Sequence, residues 1–600
     1  MSHSLALALS FICLLFTACS HPTPKSIEDI RSESARLNQF FDHLFEAEIL
    51  RYPTSQTYIG RKTNYGLLDN ETEAYSLEEH ELSKKHLKSL REFDYDMLDE
   101  NTKLSYRILE YDLKQEIEGF KWRHHYFPLN QMFGYQSSTP SFMINMHEIE
   151  NESDAEAYIS RLQEIKRIFN ERMVFLRTQE KLGIIPPAFV FPKVIEDSKN
   201  IVTGKPFTKG QDSPLYSDFK QKINKLKLSS TKKNQLLKKA EVALVQYVKP
   251  AYQDLISYVS ELSQKNTQNL GAWSLPEGKD FYNFRLKAIT TTDLNANEIH
   301  NIGLREVERI QAEMRKIMKQ VNFQGSLQDF FLHMQSAAHL YPNTSAGRKA
   351  YLARVNEVLS ELKPVLPKLF NTFPKSELVV KPVEAFREKS AGTAFYSGPA
   401  MEGNRPGIYY VNLYKMEDNP KYKLEALAYH EAIPGHHMQI AIAKELEELP
   451  KFRRDGGFTA YSEGWGLYAE LLPKEIGFYQ DPYSDFGRLA MEIWRAVRLV
   501  VDTGIHSKKW TREEAIKYMK ANTPSAELET VKEIERYFIM PGQATAYKIG
   551  MMKILELREK ARKKMGEKFD IRVFHDVVLK DGALPLQILE EKVDQLIKNN

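Results

Sequence analysis

Cysteine is almost missing: the 600 residues hold two, Cys13 and Cys19, both close to the start. A mature fold beyond them contains no internal disulfide, so its stability rests on its apolar core alone. Past the first twenty residues no stretch offers about eighteen uninterrupted apolar residues, the length a membrane-spanning helix needs. No transmembrane helix is expected. An excess of one charge is lacking as well, since 83 Lys and Arg stand against 80 Asp and Glu for a net +3. That balance gives no electrostatic case for nucleic acid. Eight lysines between Lys220 and Lys239 carry no interleaved aromatics and read as a solvated helix face. Internal repeats and low-complexity segments are absent. What is present is ample: 42% hydrophobic residues supply a large core and more than one subdomain.

The first residues stand apart. Leu5 to Phe16 form an apolar run too short to cross a bilayer, ending in Phe16-Thr-Ala-Cys19. This resembles a bacterial lipoprotein signal, which implies cleavage before Cys19 and lipidation of that residue. Ser20 after the cysteine then implies the outer membrane, as in Gram-negative lipoproteins. Residues 1–18 are read as signal peptide and 19–33, polar with two prolines, as a tether.

Helical periodicity dominates the rest. Residues 34–275 are expected to form an N-terminal helical lobe, with Leu37, Phe40, Phe41, Leu44 and Phe45 on one apolar face. Phe127 to His147 reads as an ordered loop, either a plain connection or part of a cleft. Residues 276–600 form the expected catalytic lobe. Asn295 and Glu298 make a capping box for one of its helices. Leu378 to Val383 and Gly407 to Leu413 read as strands. The second of these, beside the helix that Asn419-Pro420 should open, is placed to pair with an extended peptide. The fold class expected is mostly α with a small sheet.

Within that lobe, Leu427-Ala-Tyr-His430-Glu431-Ala-Ile-Pro434-Gly-His436-His437 draws together imidazole and carboxylate, the groups that hold zinc and activate water. In His-Glu-x-x-His the two histidines lie four apart on one helix face. Here Pro434 occupies the fourth position. At about 100° per residue, His436 would sit roughly 240° round an unbroken helix from His430, and His437 about 10 Å further along. Neither can share an ion at Zn–N distances of about 2 Å. Pro434 and Gly435 break helices, however, and a bulge there lets one of the two, His436 in preference, take the usual place of the second ligand.

A catalytic zinc needs a third protein ligand. Glu463, in Tyr461-Ser-Glu463-Gly-Trp465-Gly, sits among aromatic and small residues and is the candidate. Glu431 is then the general base. The oxyanion of peptide hydrolysis needs a donor, for which Tyr537 and Tyr547 are available. Arg498, Asp502 and His506 fall four apart on one helical face. They form either a buried ion-paired face or a grip on a substrate carboxylate, and Arg498 and His506 doing so would make the enzyme a carboxypeptidase or dipeptidase.

Taken together, His430-Glu-Ala-Ile-Pro-Gly-His-His, Tyr461-Ser-Glu-Gly-Trp-Gly-Leu-Tyr, Arg536-Tyr-Phe-Ile-Met-Pro-Gly-Gln-Ala and Phe574-His-Asp resemble a bacterial family catalogued as a domain of unknown function, whose members are often lipoproteins. That family is in turn similar to the helical zinc peptidases: angiotensin-converting enzyme, thermostable carboxypeptidase and the oligopeptidases. The resemblance covers nearly the whole mature chain. It implies a two-lobed helical body with a deep central cleft, Zn2+ as cofactor, and His430, His436 and Glu463 as its ligands. It also implies Tyr537 rather than Tyr547 as the catalytic tyrosine. Arg498, His506 and Tyr547 are then read as substrate-binding residues. The expected function is zinc-dependent hydrolysis of short peptides on the periplasmic face of the outer membrane, with a lipid anchor as the sole membrane contact. The rival is a non-catalytic peptide-binding lipoprotein with a degenerate metal site. Cleavage position, residue preference, peptide against ester substrates and oligomeric state are not legible in the sequence.

Overall fold

The computed structural model describes residues 26–599. The signal peptide, Cys19 and the start of the expected tether lie outside them. The end of that tether is not a linker: helix α1 (Ile27–Arg51) already begins there, with the Ser26 hydroxyl accepting from the Asp29 N–H at 3.0 Å. Leu37, Phe41, Leu44 and Phe45 are the buried face of α1. Among the described residues the fold is mostly helical with one three-stranded sheet. No helix in them is long and apolar enough to cross a membrane.

One large apolar core lies between Leu68 and Leu262 and is closed by Phe386 and Ile539. The long helix α2 (Glu152–Lys181) runs through it, burying Tyr158, Leu162, Ile165 and Phe169. A larger core is built mainly after Ala272 and takes in Leu104, Ile108 and Trp122 from the earlier part of the chain. Helix α3 (Ala296–Gln320) opens with the anticipated box: the Asn295 side chain accepts from the Glu298 N–H at 3.1 Å, and Glu298 accepts from the Asn295 N–H at 2.8 Å.

The sheet contains β1 (Leu378–Pro382), β2 (Ala394–Ser397) and β3 (Gly407–Val411) in the order β1-β3-β2. β3 is parallel to β1 and antiparallel to β2. The strand expected to receive a peptide is therefore the buried middle one, with both its edges already paired. The edge facing the site belongs to β2, which has no run of alternating apolar residues to announce it.

After β3 come a 3-10 turn at Lys421–Lys423 and helix α4 (Leu424–Glu431), so the helix starts later than Asn419-Pro420 suggests. Then follow α5 (His436–Glu445), α6 (Thr459–Glu475), α7 (Pro482–Ser507), α8 (Glu527–Ile539) and α9 (Ala546–Met565). Helices α6 and α9 touch backbone to backbone, because a β-carbon on Gly464 would strike Gly550, and one on Gly550 would strike Ala460. That close crossing brings Glu463 and Tyr547 to the same cavity.

Candidate metal centre and active site

Helix α4 ends on His430 and Glu431. Ala432 leaves helical geometry at φ −103° and ψ −112°, the Ile433–Pro434 peptide is cis, and Gly435 (φ −78°, ψ −131°) leads into α5. Pro434 has no N–H to extend the ladder, and its carbonyl accepts from the Trp465 indole at 2.9 Å. A β-carbon on Gly435 would run into the carbonyl oxygens of His430 and Tyr429. Glycine therefore lets the chain turn back tightly enough to bring the His436 ring to 4.7 Å from that of His430, nearly perpendicular to it.

Glu463 arrives from α6. Its Oε2 lies 3.6 Å from His430 Nε2 and 3.3 Å from His436 Nε2. One ligand atom from each of the three residues lies within 4.8 Å of the others. Tetrahedral zinc ligands at about 2.0–2.1 Å from the ion stand roughly 3.4 Å apart, and two imidazoles with a carboxylate are a donor set that catalytic zinc takes, its fourth position open. The three residues fit the metal. His437 is turned elsewhere: its Nδ1 pairs with the Tyr396 hydroxyl on β2 at 2.8 Å, and burial pushes its pKa down to about 4.

Behind the triad, His430 Nδ1 donates to Glu470 Oε1 at 2.8 Å. With Nδ1 committed to Glu470, Nε2 is the nitrogen that faces Glu463 and would bind a metal. Burial works against charge on His430, but the Glu463 and Glu470 carboxylates outweigh it and lift its pKa to about 9. Glu463 is likewise held well below the usual range by the two imidazoles, against its own burial. The adjoining Glu431 differs, because burial raises its pKa; its Oε2, like that of Glu463, has no hydrogen-bond partner among the described residues.

A cavity of about 330 Å³ opens on this group, a size at the lower end for small-molecule sites. Glu431 and Tyr547 line it, together with Arg498, Arg536 and Phe395 of β2. Tyr547 stacks over His430 at 6.2 Å, and its hydroxyl accepts from Arg536 at 3.1 Å.

Residues 53–593 match a family described as a bacterial protein of unknown function, DUF885. The chain belongs to this family. A solved candidate lipoprotein of Colwellia psychrerythraea is 31% identical at a TM-score of 0.87, covering 95% of this chain and 100% of that one. Another, from Shewanella oneidensis, is 19% identical at 0.64, covering 93% and 99%, and shares the fold. A candidate oligoendopeptidase F of Bacillus anthracis, 11% identical at 0.31 over 86% and 95% of the two chains, is too slight a likeness to carry an argument. No functionally curated protein matches the chain.

The DUF885 chain places some expected site residues away from the cavity. Tyr537, 1% exposed, does not line it. Its hydroxyl donates to Glu533 at 3.0 Å and accepts from Arg498 at 2.9 Å and Trp494 at 3.3 Å. His506 is also buried off the site: Nδ1 accepts from the Ala272 N–H and Nε2 donates to the Tyr537 carbonyl, each at 2.9 Å, and burial lowers its pKa to about 4. Asp502 accepts from Tyr282 at 2.6 Å and the Gly542 N–H at 3.1 Å. Of that helical face, only Arg498 reaches the cavity.

Several residues of the site went unforeseen in this DUF885 sequence. Glu470 follows Glu463 by seven positions, two helical turns, so a search of the same face would have found it. Met132 and Phe133, from the loop left undecided between connection and cleft, line the cavity. Arg495 carried no sequence signal beyond its charge, and Arg536, though it opens one of the motifs, was given no role.

Proposed function

We propose that this chain is a zinc-dependent metallopeptidase that hydrolyses short peptides in the bacterial cell envelope. The observation that carries the reading is the convergence of His430, His436 and Glu463 across a broken helix, beside a buried Glu431 with an unpartnered oxygen. Zinc, when bound, supplies Lewis acidity toward a carbonyl oxygen and toward water. Glu431 accepts the proton of the attacking water and returns it to the departing amine. Its buried setting, which raises its pKa, matches that task better than a solvated carboxylate would. Tyr547 receives a hydrogen bond from Arg536, which leaves its own proton to donate to the oxyanion. We assign the catalytic tyrosine role to Tyr547 on that account. The edge strand β2, whose Ala394, Phe395 and Tyr396 line the cavity, offers backbone groups to an extended substrate.

Lipid anchoring through Cys19 at the periplasmic face of the outer membrane belongs to the same proposal. Its support is the Leu5–Cys19 pattern and the description of both solved relatives as candidate lipoproteins.

The decisive experiment compares metal content and peptide hydrolysis in wild type and Glu431→Gln. We expect one zinc per chain in both and hydrolysis only in wild type. Full activity in Glu431→Gln would remove the mechanism. Peptide binding without turnover in zinc-replete wild type would leave a binding lipoprotein in its place.

A further inference from the structure

Beside the triad the cavity wall carries three guanidinium groups, Arg495, Arg498 and Arg536. Arg495 and Arg498 are 3% and 2% exposed, so neither charge is dissolved in solvent. Each of the three nevertheless keeps one nitrogen without a hydrogen-bond partner among the described residues: Nε of Arg495, Nη1 of Arg498 and Nε of Arg536. A buried donor left unmade is costly, and a buried unmatched charge more so. All three belong to side chains that line the cavity, and a small turn of each guanidinium would offer its unmade donor to an acceptor that the chain does not itself supply.

Charge counting agrees. Arg498 pairs with Glu533 at 2.8 Å, Arg536 stands 3.8 Å from the same carboxylate, and Arg495 lies 3.7 Å from Glu470. Three fixed cations therefore face two carboxylates, and one positive charge is unmatched. Arg387, which also lines the cavity, is already paired with Glu384 at 2.7 Å. The remaining site carboxylates, Glu431 and Glu463, offset the two charges of a divalent ion. The guanidinium planes are also held in place. Arg495 and Arg498 sit over Trp494 at 4.6 and 4.5 Å, and Arg498 over Tyr547 at 4.4 Å. The three guanidinium groups keep one unmade donor each, and together these suit the two oxygens of a carboxylate.

The geometry points to a subsite for the free α-carboxylate of a short peptide, making the enzyme one that cleaves from the carboxyl end. This rests on the peptidase reading above. Tyr547 sets the ruler, its ring 6.2 Å from that of His430 and 4.4 Å from the Arg498 guanidinium carbon. Those two steps together reach no further than about three extended residues at roughly 3.5 Å each. With the carboxylate on the arginines and the scissile carbonyl at the triad, one or two residues fit between them. Hydrolysis adds water across the C–N bond, hydroxyl to the carbonyl carbon and proton to the nitrogen, and releases a free amino acid or a dipeptide. No oxidant or reductant enters.

The test uses a matched pair of tripeptides, one with a free α-carboxylate and one capped as the amide. Both are titrated into zinc-loaded Glu431→Gln and incubated with zinc-loaded wild type. The acid is expected to bind on the order of 10- to 100-fold more tightly, the loss of a charge-assisted hydrogen bond. Mass spectra of the digest should show release from the carboxyl end. Equal binding of the two, or binding of neither, overturns the subsite even where both are hydrolysed, and in that last case the peptidase reading survives with another specificity. Preferential binding of the acid with hydrolysis of neither upholds the subsite and removes the peptidase reading.

Discussion

The imidazole of His430 lies flat against Gly466: a β-carbon there would stand 2.8 Å from Cε1 and 3.0 Å from Nε2. Gly466 follows Glu463 by three residues on α6, so the helix that presents a carboxylate also leaves the space in which the first histidine rests. Gly466→Ala should push the ring off its Glu470 hydrogen bond and weaken metal binding by tenfold or more, on the order of what loss of a supporting partner costs. Competition against a chelator checks this, with circular dichroism to show the helices intact. Wild-type affinity in the alanine variant would mean the ring does not need that floor.

Glu470→Gln isolates the support from the ligand. The His430 Nδ1 bond is kept as an acceptor contact but loses its charge, and metal affinity should fall about 10- to 100-fold. His436→Ala and Glu463→Ala should lose zinc outright, while His437→Ala keeps it, because His437 is engaged with Tyr396. Elemental analysis of the four proteins is sufficient. Zinc lost with His437 and kept without His436 would reverse the assignment.

The two tyrosines should separate by phenotype. Tyr547→Phe should lower kcat by about 10²- to 10³-fold, the usual cost of one oxyanion donor, without moving the melting temperature. Tyr537→Phe removes the hydroxyl shared by Arg498, Glu533 and Trp494, all buried, and should cost roughly 1–3 kcal/mol of stability. Steady-state kinetics and thermal melts on both variants decide. A catalytic loss confined to Tyr537→Phe would restore that residue to the mechanism.

Asp502 gives the fold a dependence on pH. Burial raises its carboxyl to about 7, although Tyr282 and the Gly542 N–H favour the charged form. An unfolded aspartate titrates near 3.9, so between about pH 4 and 7 the folded state keeps a proton that the unfolded chain has lost. Stability from this group therefore falls as pH rises through that window and levels off above it. Asp502→Asn retains an acceptor for both donors and removes the titration. Its melting temperature should change less than that of wild type between about pH 5 and about pH 8. Parallel pH profiles would show that Asp502 is already ionised in the fold.

Much of this was legible where the signal was local. The box at Asn295 and Glu298 predicted a helix start, and the apolar spacing from Leu37 to Phe45 predicted a buried face, because both depend on neighbours within a turn or two. Pro434 and Gly435 announced a break for the same reason. What the chain does after the break depends on Trp465 and on the carbonyls of Tyr429 and His430, and no spacing rule contains those. Tyr537 and Tyr547 show the limit most clearly. They are ten residues apart in the sequence, and of the two only Tyr547, on the helix that crosses α6 at Gly464 and Gly550, lines the cavity. His506 shares a helical face with Arg498, yet a face eight residues long reaches from the cavity wall into the core.

The cavity wall is drawn from residues as early as Met132 and Phe133 and as late as Tyr547. A polypeptide is made from its first residue onward, so one wall is finished long before the tyrosine exists. No growing intermediate that stops short of Tyr547 can hold the whole cavity wall, and neither can a proteolytic stump that lacks α9. For an enzyme that would cut short peptides, this ordering is a safeguard written into topology. The site stays unfinished until Tyr547 has been made and folding has brought it to Met132 and Phe133.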